Sequence, residues 1–266
     1  MTTTAMTRTA GDSATMLRRD LKHLLRYPSV TVMLIGMPIV FLLLFVYVLG
    51  GTLGDGLGHG ASGGRSAYLD YVVPGILVIT IAAIAQGTAI SVAMDMTGGI
   101  IARFRTMAIS RSAVLTGHVG GSMVQTGLGI GAVTLVALAM GYRASAGALQ
   151  WLAVLGVLAM IAFALTWLTV AMGMASSSVE SASNTPMFLV LLPFLSSGFA
   201  PTDSMPPAVQ WFAAHQPFTP FIDTVRGLLA GTPVGGSAIA TAIWCTAIAL
   251  ASYLWARASY ERRSIR

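Results

Sequence analysis

Lys22 is the only lysine in this 266-residue chain, and it stands in Arg-Asp-Leu-Lys-His with no glycine-rich turn before it. A nucleotide-binding P-loop needs a lysine behind its glycines to hold the β- and γ-phosphates. The chain therefore carries no such site, and nucleotide hydrolysis, where needed, falls to another polypeptide. The four histidines (His23, His59, His118, His215) are scattered without metal-ligand spacing, and the single cysteine, Cys245, permits no internal disulfide. No catalytic, cofactor or metal site is expected on the chain. The nine acidic residues fall between apolar runs or at their ends, Asp95 and Glu180 among the latter. A carboxylate inside a bilayer is costly and is kept for ion or proton coupling, so this placement argues against a proton-coupled carrier.

The elements that hold these residues are apolar. Hydrophobic residues make up 55% of the chain and charged ones 9%, with a mean hydropathy of +0.78; soluble domains carry about 25% charged residues. A bilayer core of about 30 Å takes roughly 20 apolar residues as helix. Six runs qualify: near 30–49, 72–94, 112–140, 149–175, 186–199 (shorter, with Pro193 inside) and 239–255. A Gly-rich loop (Gly50 to Ser66) separates the first two. The fold expected is an all-α integral membrane protein, a single transmembrane domain over 1–266, with a disordered tail at 1–14 and an interfacial helix at 15–27.

Basic residues fix the orientation. With the N-terminus inside, Arg8, Arg18, Arg19, Lys22, Arg26, Arg103, Arg105, Arg111, Arg257, Arg262, Arg263 and Arg266 share one side, against Arg65, Arg143 and Arg226 on the other. The positive-inside rule then puts both termini in the cytoplasm of a multi-pass cell-membrane protein. The net charge of +6 comes from residues at the ends of apolar runs, not from one groove, which excludes a nucleic-acid partner.

Several segments are candidates for function. Leu17, Leu21, Leu24 and Leu25 form one helical stripe, opposed by Arg18, Lys22 and Arg26: an amphipathic helix for the inner membrane surface, or a basic flank that sets topology. The inner loop before the third span mixes Arg103, Phe104, Arg105 and Arg111 with Met107 and Ile109, suiting a short interfacial helix that either docks a partner or is topogenic. Gly120, Val124, Gly127 and Gly131 lie on one stripe of the third span, where small residues let a helix backbone approach, either inside the bundle or at a subunit interface. Gln86 and Gln125 are inter-helix hydrogen-bond candidates. The segment from Pro201 to Gly231 holds Trp211, Phe212, Phe218 and Phe221, which suit an interface. Prolines at 201, 206, 217 and 220 break it into half-helices, and Asp223 and Arg226 are spaced to pair on one helical face.

Three stretches resemble the ABC type-2 (ABC-2) exporter permeases of the daunorubicin-resistance type. They are Leu-Lys-His-Leu-Leu-Arg-Tyr-Pro28; Ile-Ala-Arg-Phe-Arg-Thr-Met-Ala-Ile-Ser-Arg-Ser112; and Gly-Phe-Ala-Pro201 through Met-Pro206-Pro207, then Gln-Pro217-Phe-Thr-Pro220 to Val-Arg226-Gly-Leu-Leu. The resemblance covers nearly the whole chain, and the third stretch is the most specific. One departure is Gly98-Gly99-Ile-Ile, where many members carry an acidic residue with a Gly-Thr pair.

The resemblance implies a membrane subunit that pairs with a second copy. Each copy would dock a separate ATPase, which binds the ATP and magnesium, through the loop from Thr97 to Ser112. It also implies an interfacial elbow carrying Leu17, Leu21, Lys22, Leu24 and Arg26, and outer re-entrant helices carrying Pro201, Pro206, Pro217, Pro220, Asp223 and Arg226. The expected work is export of a hydrophobic small molecule, drug, antibiotic or lipid-like compound. Rival expectations are export of a polysaccharide or lipid-linked glycan, or a non-transporting membrane anchor.

Overall fold

A computed structural model describes residues 28–55, 64–97 and 111–263. The interfacial helix with Leu17, Leu21, Lys22, Leu24 and Arg26, the tail before it, and Arg103, Phe104 and Arg105 of the inner loop lie outside these residues. The described residues are helices and turns. In chain order they are α1 (Pro28–Leu44), a π-helical turn (Phe45–Leu49), α2 (Gly50–Asp55), α3 (Arg65–Thr97), α4 (Arg111–Ala139), α5 (Ala148–Ala175), α6 (Val179–Asn184), α7 (Met187–Leu191), α8 (Pro207–His215), α9 (Phe218–Ala230) and α10 (Gly235–Arg263).

Five helices are long and apolar enough to cross a membrane: Thr31–Asp55, Arg65–Thr97, Leu115–Ala139, Ala148–Ala175 and Gly235–Ser259. Three differ from expectation at their ends, the last because α10 runs over Gly235–Arg263 against the expected 239–255. The first continues through Gly50–Asp55 into what reads as loop, with the Thr52 hydroxyl donating to the Leu49 carbonyl at 3.1 Å and Gly54 packed on the Gly64 backbone. The second begins at Arg65 instead of near 72, about two turns rich in polar and aromatic residues being helical as well. Proline inside α1 (Pro38) and α3 (Pro74) is tolerated, as in membrane helices whose neighbours satisfy the freed carbonyl.

The fifth expected span, 186–199, is a broken one. The apolar stretch is Val179–Leu195, under the length of the others, and it consists of α6, α7 and a 3₁₀ turn over Leu192–Leu195. Pro186 stands between α6 and α7, and Pro193 has no amide hydrogen to continue the ladder. The segment still traverses the bundle. Gln86 Nε2 donates to the Ser183 carbonyl at 2.8 Å, and Tyr68 Oη donates to the Phe199 carbonyl at 3.2 Å. Those two α3 residues are separated by about 27 Å at 1.5 Å per residue, nearly the thickness of a hydrocarbon core.

The two ends of the bundle are named here by Tyr68 and Asp95. α3 is its axis: its most apolar window is 78% buried, against 17% for the first and last spans. The core around it includes Val72, Ile76, Ile79, Leu158, Ile161, Leu165, Phe218 and Phe221. α4 runs antiparallel to α3, with Thr88 against Ser122 and Thr80 against Gly129. α10 runs parallel to α5, from Gly231 beside Gln150 to Tyr253 packed edge-on to Trp167 at 5.2 Å. A second cluster (Val92, Leu115, Val119, Trp167, Met174, Ala256) closes the Asp95 end. The chain therefore starts α1 and finishes α10 at that same end.

Candidate functional site

α9 is the best-formed amphipathic helix among the described short ones. Phe218, Phe221, Ile222, Val225 and Leu229 recur at helical spacing and are buried. Its C-terminus is closed by Gly231, whose φ of 72° is the left-handed conformation that a side chain would resist. The buried stripe seats α9 at the Tyr68 end, and this places Arg226 over the N-terminal turns of α3.

There Arg226 makes a dense set of contacts. Its Nη1 donates to Asp223 Oδ1 at 2.8 Å, the pair that the three-residue spacing allows. Its Nη2 donates to the carbonyls of Ser197 and Tyr71, the latter at 3.3 Å. The guanidinium lies 4.0 Å from the centre of the Tyr71 ring, a cation–π arrangement. Ser197 Oγ donates to Asp223 Oδ1 at 2.6 Å, and Tyr71 Oη donates to the Ser197 carbonyl at 2.8 Å. The Ser197 carbonyl lies past the last helical turn of the broken segment, so it has no intrahelical donor and takes these two instead.

Neighbouring contacts fix the same junction. Gln216 Nε2 donates to the Leu192 and Leu195 carbonyls at 3.2 and 2.6 Å, answering the orphan acceptors of the 3₁₀ turn. Phe194 and Phe199 stack at 4.7 Å, and Phe45 lies 4.6 Å from Phe199, tying the segment to α1. Gly75 meets the Gly198 backbone so closely that a β-carbon there would sit 2.9 Å from the Gly198 carbonyl oxygen. Thr241 Oγ1 donates to the Pro220 carbonyl at 2.9 Å, joining α9 to α10. In the turn between α4 and α5, burial and then the Asp70 carboxylate push the Tyr142 hydroxyl up to about 12, so it stays neutral at physiological pH.

Among the sequence candidates, Pro201 precedes a short 3₁₀ turn, Pro206 and Pro207 open α8, and Pro217 and Pro220 stand at the start of α9. Of the four aromatics expected at an interface, Trp211 and Phe212 are exposed while Phe218 and Phe221 are fully buried, so half of that set is core. Arg111 is the first residue of α4, and Arg103, Phe104 and Arg105 lie outside the described residues. The structure adds Tyr68, Tyr71 and Ser197. The spacing of Tyr68 and Tyr71 was the available signal, two phenols on one helical face beside an apolar run.

Farther down, several neutral polar residues pair across helices. Thr88 Oγ1 donates to Ser122 Oγ at 2.9 Å, which is 3.2 Å from Thr166 Oγ1, so one hydroxyl chain joins α3, α4 and α5. Gln125 Nε2 reaches Thr31 Oγ1 at 3.3 Å, and Gln86 takes the Ser183 carbonyl, the inter-helix bonds expected of both glutamines. At the Asp95 end, His118 Nε2 lies 3.2 Å from Asp95 Oδ2, both side chains nearly enclosed. The separation of these two in sequence gave no hint of the contact. Among the described residues no three His, Cys, Asp or Glu side chains gather as metal ligands. The arrangement can join and brace helices.

The chain's relatives fit that reading. It is 28% identical over 228 residues, 82% of this chain and 77% of the relative, to the daunorubicin resistance ABC transporter permease protein DrrB1 of Streptomyces coeruleorubidus. It is 28% identical over 231 residues, 85% of this chain and 81% of the relative, to the probable doxorubicin resistance ABC transporter permease protein DrrC of Mycobacterium tuberculosis. Residues 13–230 match the ABC-2 type transporter family as a whole. Matched over that length, and with five helices long and apolar enough to cross a membrane among its described residues, the chain belongs to the ABC-2 type transporter family and is a permease of ABC transporters.

Proposed function

We propose that this chain is the membrane-spanning subunit of an ATP-driven exporter that moves a hydrophobic small molecule, a drug, antibiotic or lipid-like compound, out of the cell. The observation that carries the reading is the family match over residues 13–230, joined to two relatives that are each named for resistance to a drug. A separate ATPase chain binds ATP and magnesium, and two permease copies form the pathway. The Tyr68 end faces outward and both termini are cytoplasmic, in line with the 12-to-3 asymmetry of basic residues across the spans.

In this reading the loop carrying Arg103, Phe104, Arg105 and Arg111 receives the ATPase, and residues 15–27 form the elbow on the inner surface. The junction of α3, α9 and the broken segment braces the exit. The test is uptake of daunorubicin into inside-out vesicles carrying the chain with and without a co-expressed ATPase partner. Accumulation that needs ATP, the partner and this chain together is the expected result. Nucleotide hydrolysis by the purified chain alone, or accumulation without the partner, would sink the proposal.

A further inference from the structure

Asp95 and His118 take no part in the α9 junction, yet they form a more enclosed pair than Asp223 and Arg226 do. His118 Nε2 lies 3.2 Å from Asp95 Oδ2, with 8% and 11% of the two side chains exposed, against 22% and 37% at Arg226 and Asp223. Asp95 stands in the last turn of α3, which ends at Thr97, and His118 about two turns into α4, which begins at Arg111. The side chains next to them are apolar. Val92 and Met96 flank Asp95 on α3, Leu115 and Val119 flank His118 on α4, and all four belong to one cluster with Met174 and Ala256. A carboxylate in such surroundings is costly unless a donor meets it. The imidazole meets it with a proton on Nε2, in its neutral or its charged form.

Two other contacts between α3 and α4 are more forgiving of an axial slip. Thr88 Oγ1 lies 2.9 Å from Ser122 Oγ and 3.2 Å from the Ile84 carbonyl of its own helix, so it keeps a partner if Ser122 moves away. Gly129 leaves a gap that the end of the Ile84 side chain fills, a β-carbon there coming within 2.7 Å of Ile84 Cδ1; that end can turn to follow a shifted neighbour. The Asp95–His118 contact cannot follow. A slip of one turn, about 5.4 Å, would carry His118 beyond hydrogen-bond reach and take from the enclosed carboxylate the donor it holds here.

We propose that Asp95 and His118 form a register lock. The pair fixes α4 axially against α3, the axis of the bundle, so that these two consecutive helices shift as one body and do not slide past each other. Setting register is the best-attested use of an enclosed ionic pair, whose net contribution to stability is small. The lock belongs to this chain alone and needs neither nucleotide nor a partner. Its failure would leave the exporter reading standing, and failure of that reading would leave the lock.

The test uses the full chain in membranes, in a Cys245→Ala background carrying one of two cysteine pairs. Thr88→Cys with Ser122→Cys reports the register described here, and Thr88→Cys with Thr126→Cys reports a slip of one turn. The readout is the ratio of their rates of disulfide closure under copper phenanthroline. With Asp95 and His118 intact, the first pair should close at least about tenfold faster; Asp95→Val with His118→Leu should lower that ratio to about threefold or less. The chain should stay folded, because replacing both partners of an enclosed pair by apolar groups is close to neutral for stability. Exchanging the two residues, Asp95→His with His118→Asp, should restore the ratio, which a loss of packing alone would not predict. Should the apolar pair misfold, Asp95→Asn decides the matter, since it keeps the shape, removes the charge and should lower the ratio at least about threefold. A ratio unchanged in the deciding variant would overturn the proposal, and Ile84 seated on Gly129 would then set the register. Equal closure of both cysteine pairs in the otherwise intact chain, or no recovery on exchange, would overturn it as well.

Discussion

Replacing Arg226 with methionine removes the charge and the guanidinium donors while keeping an unbranched stem of similar reach. The loss can be assembled from the contacts. The ion pair with Asp223 is partly exposed, 22% and 37% at the two side chains, so solvent screening limits it to about 1 kcal/mol or less. The charged hydrogen bonds to the Ser197 and Tyr71 carbonyls contribute about 1.5–3 kcal/mol, toward the lower end because the Ser197 carbonyl keeps the Tyr71 hydroxyl. The Tyr71 ring adds about 1 kcal/mol. Part of the total is recovered because methionine packs on Tyr71, leaving a destabilisation of about 3 kcal/mol for Arg226→Met. Asp223→Asn retains both hydrogen bonds in neutral form and should cost about 1 kcal/mol.

The chain contains its own reporter. Cys245 is the sole thiol and is buried on α10, so a thiol-reactive dye that fluoresces on coupling follows unfolding in detergent. At roughly 2–4 °C per kcal/mol for a chain of this size, Arg226→Met should melt about 6–12 °C below wild type. The double variant should fall short of the sum of the singles by about 1 kcal/mol, since the two residues share one contact. A melting point for Arg226→Met within about 2 °C of wild type would refute the reasoning, as would strict additivity. The junction would then be a contact of convenience, not a brace.

Cysteines introduced at Ala146 and Ser204 in a Cys245→Ala background should label from outside whole cells, and those at Thr9 and Ser264 only after permeabilisation; the reverse pattern would invert the bundle. Phe104→Ala and Arg105→Lys should leave membrane insertion intact yet reduce co-purification of the ATPase partner, because losing an anchor residue costs about 2 kcal/mol or more and lysine cannot reproduce a bidentate arginine contact. Full retention of the partner in both would make that loop merely topogenic. Gly173→Ala should destabilise the fold by about 1–3 kcal/mol in the same dye melt, because the added carbon would lie 2.5 Å from the Ala89 carbonyl oxygen; an unchanged melting point would show that α3 and α5 can separate without cost.

The long spans were readable because each is a continuous apolar run, and hydropathy needs nothing else. Their ends were not, since Arg65, Asp70 and the two tyrosines look like loop until Phe199 and Ser197 arrive to accept their hydrogen bonds. The break at Pro186 and Pro193 was visible as a short run with an internal proline. That it still carries the chain from one end of α3 to the other depends on contacts with Gln86 and Tyr68, which no local pattern encodes. The Asp223–Arg226 pair follows from helical spacing. The carbonyls that Arg226 also holds belong to residues 29 and 155 positions away. On α4, a β-carbon at Gly127 or Gly131 would meet nothing of this chain within 4 Å, whereas one at Gly129 would press on Ile84 and Thr80, because spacing tells that a face is small and says nothing about which neighbour fills it.

The placement of charge along the bundle bears on how such a protein can be driven. The described acidic and basic side chains stand near the two ends: Asp95 and His118 at one, Asp223, Arg226 and Arg65 at the other. Between them the polar groups are threonine, serine and glutamine, several of them matched across helices at 2.8–3.3 Å. Neutral pairs of this kind are worth about 0.6 kcal/mol each in a membrane, so singly they hold the helices only weakly. They can, however, be exchanged one for another as helices slide. The broken segment is held at both ends, by Gln86 near α6 and by Tyr71, Arg226 and Gln216 near its 3₁₀ turn. Two prolines interrupt its own ladder in between. A displacement imposed at the Asp95 end therefore reaches the α9 junction through a short, jointed element, so the interactions at that junction are where a mechanical input would be felt first at the far end of the bundle.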